Sequence, residues 1–210
     1  MDDSLSALQL SDFTAQLASK APVPGGGGVA ALVGALAAAL GTMAANLTLG
    51  KKKYLPYEAE HRSIIAETDA LRLRLLELID EDAAVFEPLS RAYAMDRNDP
   101  EYAPTLLAAT VDACRVPLET MRYCADLISL LERLRGICSA LLLSDVGCAA
   151  LAARAAMESA AMNVFVNTRS IPEAPEAVIL EAHADKLLRE YIPRAQAVAD
   201  LVTEHLRTPR

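Results

Sequence analysis

Asp80 and Asp82 stand two positions apart in the middle of a long helical pattern. At 100° per residue, Ile64, Thr68, Leu71, Leu75, Leu78, Ile79, Phe86, Leu89 and Tyr93 fall within about 60° of one direction. Asp82 falls in the middle of that apolar stripe, and Asp80 points to nearly the opposite side. A carboxylate buried without a partner is costly. Asp82 therefore needs a partner, a cavity or a raised pKa. One reading is a carboxyl group placed for proton transfer. The other is a structural Asp bonded to a neighbouring helix end or a buried Arg. Pro88 favours the first, because it has no N–H for the carbonyl of Ala84 and so frees an acceptor beside Asp82.

Other residue groups hold potential ligand contacts. Asp145, Ala149, Ala152, Ala156, Ser159 and Asn163 share one helix face, with Ser144 beside it and Asn167 at its margin. That face is either a tight helix contact with internal polar bonds or a groove with polar ends. Lys51, Lys52 and Lys53 form a basic run after Gly50, a C′ residue by its position. They serve a helix C-terminus or an anionic partner. Gly25, Gly26, Gly27 and Gly28 precede a helix, and such an N-terminus binds anions. The run lacks the Gly-Lys-Ser/Thr ending of a nucleotide loop. His61, His183 and His205 have no metal-ligand spacing, and no metal site is expected.

These residues need helices to position them. Alanine and leucine make up 72 of the 210 residues, and aromatics only 4%. Both are strong helix formers, so an all-α fold is expected. A first helix is predicted from Ser11-Asp12 to Lys20, and Pro22-Val23-Pro24 forces an extended segment. Val29 to Leu49 carries no charge and reaches membrane-spanning length. Its eight alanines, with Thr42, Asn46 and Thr48, favour a buried core or interface helix instead. Pro56 marks a break before a helix over about 57–95, and Asn98-Asp99-Pro100 is a turn. Pro104 starts the next helix, which Pro117 kinks and which ends near Arg133. Two more are predicted over about 139–167 and 176–206. The expectation is one bundle-like domain over 1–210, with about six helices, several of them long and antiparallel.

A net charge of −8 argues against nucleic acid as a partner. Cys114, Cys124, Cys138 and Cys148 have no Cys-x-x-Cys spacing and read as free thiols of a reducing cytoplasm, in packing or surface positions. The acidic start, Met1-Asp2-Asp3, does not resemble a targeting peptide.

The same segments resemble the cyclodeaminase/cyclohydrolase family of folate enzymes. The resemblance rests on Ala21-Pro22-Val23-Pro24 with the glycine run, on residues 47–54 (Leu-Thr-Leu-Gly-Lys-Lys-Lys-Tyr), and on the Asp-x-Asp helix over 78–86. Val116-Pro117-Leu118, Ser144-Asp145-Val146-Gly147 and Asn163-Val164-Phe165-Val166-Asn167 add to it. Together they cover nearly the whole chain, in order.

The resemblance implies an all-α homodimer acting on one-carbon units of tetrahydrofolate, with no tightly bound cofactor and no membrane partner. Two activities follow from it: hydrolysis of 5,10-methenyltetrahydrofolate to 10-formyltetrahydrofolate, and cyclodeamination of 5-formiminotetrahydrofolate with release of ammonia. It also implies that an Asp of the Asp-x-Asp motif is the acid/base. The helical projection selects Asp82, with Asp80 as the second candidate. Lys51, Lys52 and Lys53 are then partners for the tail glutamates, and the glycine turn lets the ligand approach the backbone. Ser144, Asp145, Asn163 and Asn167 are further contacts. The family often has Ser where this chain has Gly28, and a Gly-Asn pair where it has Gly136-Ile137-Cys138. Gly28 leans towards the cyclohydrolase branch. A non-catalytic folate-binding or scaffold protein is the alternative of a different class.

Overall fold

The computed structural model describes residues 4–208, so Met1-Asp2-Asp3 lies outside them. Its main elements are six α-helices: α1 (Leu10–Leu17), α2 (Gly26–Thr48), α3 (Glu58–Tyr93), α4 (Tyr102–Ile137), α5 (Leu143–Thr168) and α6 (Pro175–Arg207). Short 3-10 turns at Leu5–Ala7, Lys52–Tyr57 and Ala140–Leu142 join or precede them. Among the described residues there is no strand.

Most helix limits follow the sequence reading, and the departures have local causes. Ser11 and Asp12 sit inside the first turn of α1 behind Gln9, and the Ser11 hydroxyl donates to the Asp12 carboxylate at 3.4 Å rather than capping the helix. Pro56 lies within the 3-10 turn before α3, and α4 runs on through Pro117 to Ile137. α2 begins at Gly26, three residues before the predicted start. Gly50 takes a positive φ of 76° just beyond it, as its C′ position requires.

Five helices build the body. α2 packs between α3 and α5, α5 packs between α2 and α6, and α4 touches all four from behind. Contacts along the helices show that α2 runs antiparallel to both neighbours: Gly27 meets Asp82 while Thr42 meets Thr68, and Gly26 meets Asn163 while Thr48 meets Ser139. Small residues make this close approach possible. Cβ atoms on Gly34 and Gly41 would stand 3.3 Å from Leu75 and 3.1 Å from Leu131. α2 is long and apolar enough to cross a membrane, yet it buries twelve residues within this bundle, as the core reading expects.

The stripe on α3 is buried as projected through Ile64, Thr68, Leu75, Leu78, Ile79 and Leu89. Phe86 and Tyr93 are exceptions, 36% and 48% exposed. α2 begins level with Asp82, so the part of α3 beyond that level has no α2 to cover it.

Candidate active site

The Asp82 carboxylate rests on the first turn of α2. The Gly28 N–H donates to Asp82 Oδ2 at 2.9 Å. A Cβ built on Gly27 would stand 2.1 Å from Asp82 Oδ1, so no side chain fits there while the carboxylate stays in place. Gly26, Gly27 and Gly28 are thus helical, and they are not the turn before the helix that the sequence suggested. The bare first turn lets a carboxyl group reach backbone N–H donors and the positive end of a helix 23 residues long. Burial pushes the Asp82 carboxyl above its usual value, and the Gly28 hydrogen bond opposes that shift. Burial and the helix end thus pull this carboxyl in opposite directions, and burial prevails. Its contact is a helix end, one of the two partners the structural reading of Asp82 named.

Asn163 belongs to the same end. Its Oδ1 would lie 3.2 Å from a Cβ on Gly26, and its Nδ2 donates to the Ser159 carbonyl at 2.9 Å. Phe86, one turn beyond Asp82 on the same side of α3, offers an exposed aromatic ring. Its spacing from Asp82 was visible in the sequence, but that spacing also fits a core stripe.

Asp80 is separately engaged. It accepts from Ser4 Oγ at 2.8 Å, Ser6 Oγ at 2.5 Å, and the backbone N–H groups of Leu5 and Ser6 at 2.6 and 3.4 Å. Burial raises its carboxyl pKa, but these four bonds outweigh that and hold it below the usual value. Asp80 therefore fastens the N-terminal segment. Glu81 between them pairs with Arg74 and, at 3.0 Å, with Arg115. The carbonyl of Ala84, expected to serve Asp82, lies on an exposed residue and takes no part in the bonds Asp82 makes.

Asn167 donates to the Ala113 carbonyl at 3.3 Å. Pro117 stands four residues after Ala113 in α4 and cannot supply the helical N–H, so Asn167 fills that vacancy. Its amide is occupied in joining α4 to α5.

The remaining predicted residues lie at the other end of the bundle. α2 spans about 33 Å, and Lys51, Lys52 and Lys53 follow its last turn, all exposed. Lys51 Nζ donates to Ser139 Oγ at 3.2 Å. Ser144 and Asp145 start α5 nearby, and Asp145 and Lys51 both act on the Cys138 thiol, which burial pushes up to about 11. One chain therefore brings together Asp82, the glycines and Asn163, and separately the lysines, Ser144 and Asp145.

Among the described residues, no three His, Cys, Asp or Glu side chains cluster as metal ligands. His61 is buried with Nε2 3.2 Å from the Ile137 carbonyl. A 740 Å³ cavity between α4 and α6, floored by Leu118, Leu180 and Leu187, contains none of the residues around Asp82.

The family model described as formiminotransferase-cyclodeaminase matches residues 9–186. A methenyltetrahydrofolate cyclohydrolase from Methylorubrum extorquens is 37% identical over 182 residues, covering 85% of this chain and 84% of that protein. The formimidoyltransferase-cyclodeaminase of Sus scrofa is 29% identical over 204 residues, and the match covers 95% of this chain but 38% of that longer protein. The crystal structure of formiminotetrahydrofolate cyclodeaminase from Thermotoga maritima superposes with a TM-score of 0.81 at 30% identity, over 96% of this chain and 97% of that one.

Proposed function

The chain belongs to the formiminotransferase-cyclodeaminase family, and on that premise we propose that it hydrolyses 5,10-methenyltetrahydrofolate to 10-formyltetrahydrofolate. It is a folate one-carbon enzyme. The observation that carries the specific reading is the Asp82 carboxylate seated on the Gly26–Gly28 turn, with Gly28 holding Oδ2 and Oδ1 left over Gly27.

The chemistry follows from that placement. Water attacks the cationic carbon between N5 and N10, and its proton passes to the Asp82 carboxylate as the C–O bond forms. Until then the carboxylate stabilises the cation. The tetrahedral carbon collapses when Asp82 returns the proton to N5 and the N5–C bond breaks. The hydroxyl proton leaves to solvent, and the formyl group stays on N10. One water is consumed and one proton released.

Cyclodeamination is the second reading. The likeness to the Thermotoga maritima cyclodeaminase favours it, as does burial of Asp82, which raises its pKa and favours the protonated acid needed to expel ammonia. The two substrates, offered separately, decide. Enzyme-dependent loss of the near-ultraviolet band of methenyltetrahydrofolate supports the hydrolase. Appearance of that band from 5-formiminotetrahydrofolate, with ammonia, supports the cyclodeaminase. Folate binding with no turnover of either supports the non-catalytic alternative.

The reading extends to a cytoplasmic enzyme of one domain acting as a homodimer. Its folate carries one or more tail glutamates, and it needs no metal or resident cofactor. It has neither nucleic acid nor a membrane as partner.

A further inference from the structure

The site at Asp82 has one side. The carboxylate rests on Gly27 and Gly28; Pro24, Ile79 and Asn163 pack around that turn, and none of these brings a cation, although a folate carries tail carboxylates. The chain does own a cationic cluster, but Lys51, Lys52 and Lys53 stand beyond the far end of α2, about 33 Å away along the helix.

The surface between these two ends is apolar. α2 has no charged residue from Gly26 to Thr48. On its outer side Leu36, Met43 and Leu47 are 56%, 38% and 53% exposed. Alongside, α5 exposes Leu151, Met162 and Val166. The two charged residues of this part of α5, Arg154 and Glu158, pair with each other, and Arg154 turns to Gln196 on α6. Both helices have α4 behind them, so their open sides form one strip about 33 Å long and about 20 Å wide. That is of the order of the roughly 800 Å² per partner of a specific interface, and a contiguous apolar patch of that size marks an interaction surface.

A second copy of this chain fits that strip by a two-fold axis, and two orientations are open to it. An axis along α2 sets lysine run against lysine run, which like charges oppose. An axis lying in the interface and crossing α2 at right angles near Ala37 reverses the helix, and each lysine run then faces the Asp82 end of the other copy. We propose the second arrangement: two chains pack through α2 and α5, and the partner subunit's Lys51, Lys52 and Lys53 complete the site at Asp82 and hold the tail carboxylates of the folate. This rests on the folate reading above. Each dimer then has two sites, and every site takes residues from both chains.

Mixed dimers test it. Asp82→Asn and the triple variant Lys51→Ala/Lys52→Ala/Lys53→Ala are co-expressed with different tags, and the doubly tagged dimer is isolated. Each homodimer is expected to be defective, the first in kcat and the second in KM for a polyglutamyl folate. The mixed dimer holds one doubly altered site and one intact site, so it is expected to recover about half the wild-type activity. If each site lies within one chain, both sites of the mixed dimer stay defective and nothing is recovered, which overturns the proposal. An active wild-type monomer in light scattering overturns it as well. Should the wild type turn over neither folate, the catalytic reading fails. The doubly tagged dimer is then made with Phe86→Cys in one chain and Lys52→Cys in the other, both lacking the exposed Cys148 thiol, and treated with a short bismaleimide: a covalent dimer upholds the shared site, and uncrosslinked chains overturn it. Lys→Gln substitutions replace the alanines if the triple variant misfolds.

Discussion

Gly27 and Asp82 share one space: the Cβ that any other residue would place at position 27 falls 2.1 Å from Oδ1 and 2.6 Å from Cγ of Asp82. The glycine and the carboxylate therefore work as a pair. Gly27→Ala swings the carboxylate off Gly28. Since general acid–base catalysis contributes about 10²–10⁴-fold, kcat is expected to fall by roughly 10²-fold or more. Overpacking costs about 1–3 kcal/mol, and better helix propensity returns up to about 1 kcal/mol. Steady-state kinetics beside a thermal melt should thus show activity lost far out of proportion to stability.

Asp82→Asn keeps an acceptor for the Gly28 N–H but cannot carry the proton. Its kcat is expected to drop about 10²–10⁴-fold with KM little changed. Burial raises the wild-type carboxyl above its usual 3.8. Its folded state therefore binds the proton more tightly than the unfolded chain, and this group costs stability as pH rises from the unfolded to the folded value. At neutral pH the Asn variant should melt no lower than wild type. In the hydrolytic direction, wild-type kcat should rise with pH through a midpoint above 3.8.

Asp80 has the opposite sign. Hydrogen bonds from Ser4, Leu5 and Ser6 hold its pKa below the usual value, so its contribution is present above the unfolded pKa and is lost as pH falls through the folded one. Because the group is partly in water, Asp80→Asn is expected to cost on the order of 1 kcal/mol, about 2–4 °C in Tm. Limited proteolysis should show residues 4–8 cut sooner. Catalysis with a kcat near wild type would separate Asp80 from the acid/base role, and a collapse of kcat matching that of Asp82→Asn would return the role to it.

Asn167 and Pro117 form a testable pair. Asn167→Leu strands the Ala113 carbonyl and is expected to cost about 1–3 kcal/mol, read by denaturant unfolding. Pro117→Ala in the same background gives that carbonyl its helical N–H back and should recover part of the loss. A variant with unchanged stability and a raised KM would instead make Asn167 a folate contact.

The helices were legible because alanine, leucine and the prolines act locally. Asp82 was legible because a carboxylate amid Leu75, Leu78 and Ile79 breaks a periodic pattern. What escaped depends on contacts between elements. The glycine run read as a turn because its need for space comes from Asp82, 54 positions away. Phe86 and Tyr93 read as core because nothing in α3 tells where α2 begins. The wide separation of the lysines from Asp82 follows from the direction of α2, which a motif list does not carry.

α2 holds Gly27 at one end and runs unbroken to Thr48, three residues before the lysine run. Inserting or deleting one residue within it would turn everything beyond by about 100° and shift it by about 1.5 Å. The segment 94–101 between α3 and α4 can change length freely by comparison. In related chains, insertions and deletions are thus expected to collect in that connection and to be missing from α2, whose 23 residues serve as a fixed gauge between the seat of Asp82 and the lysine run.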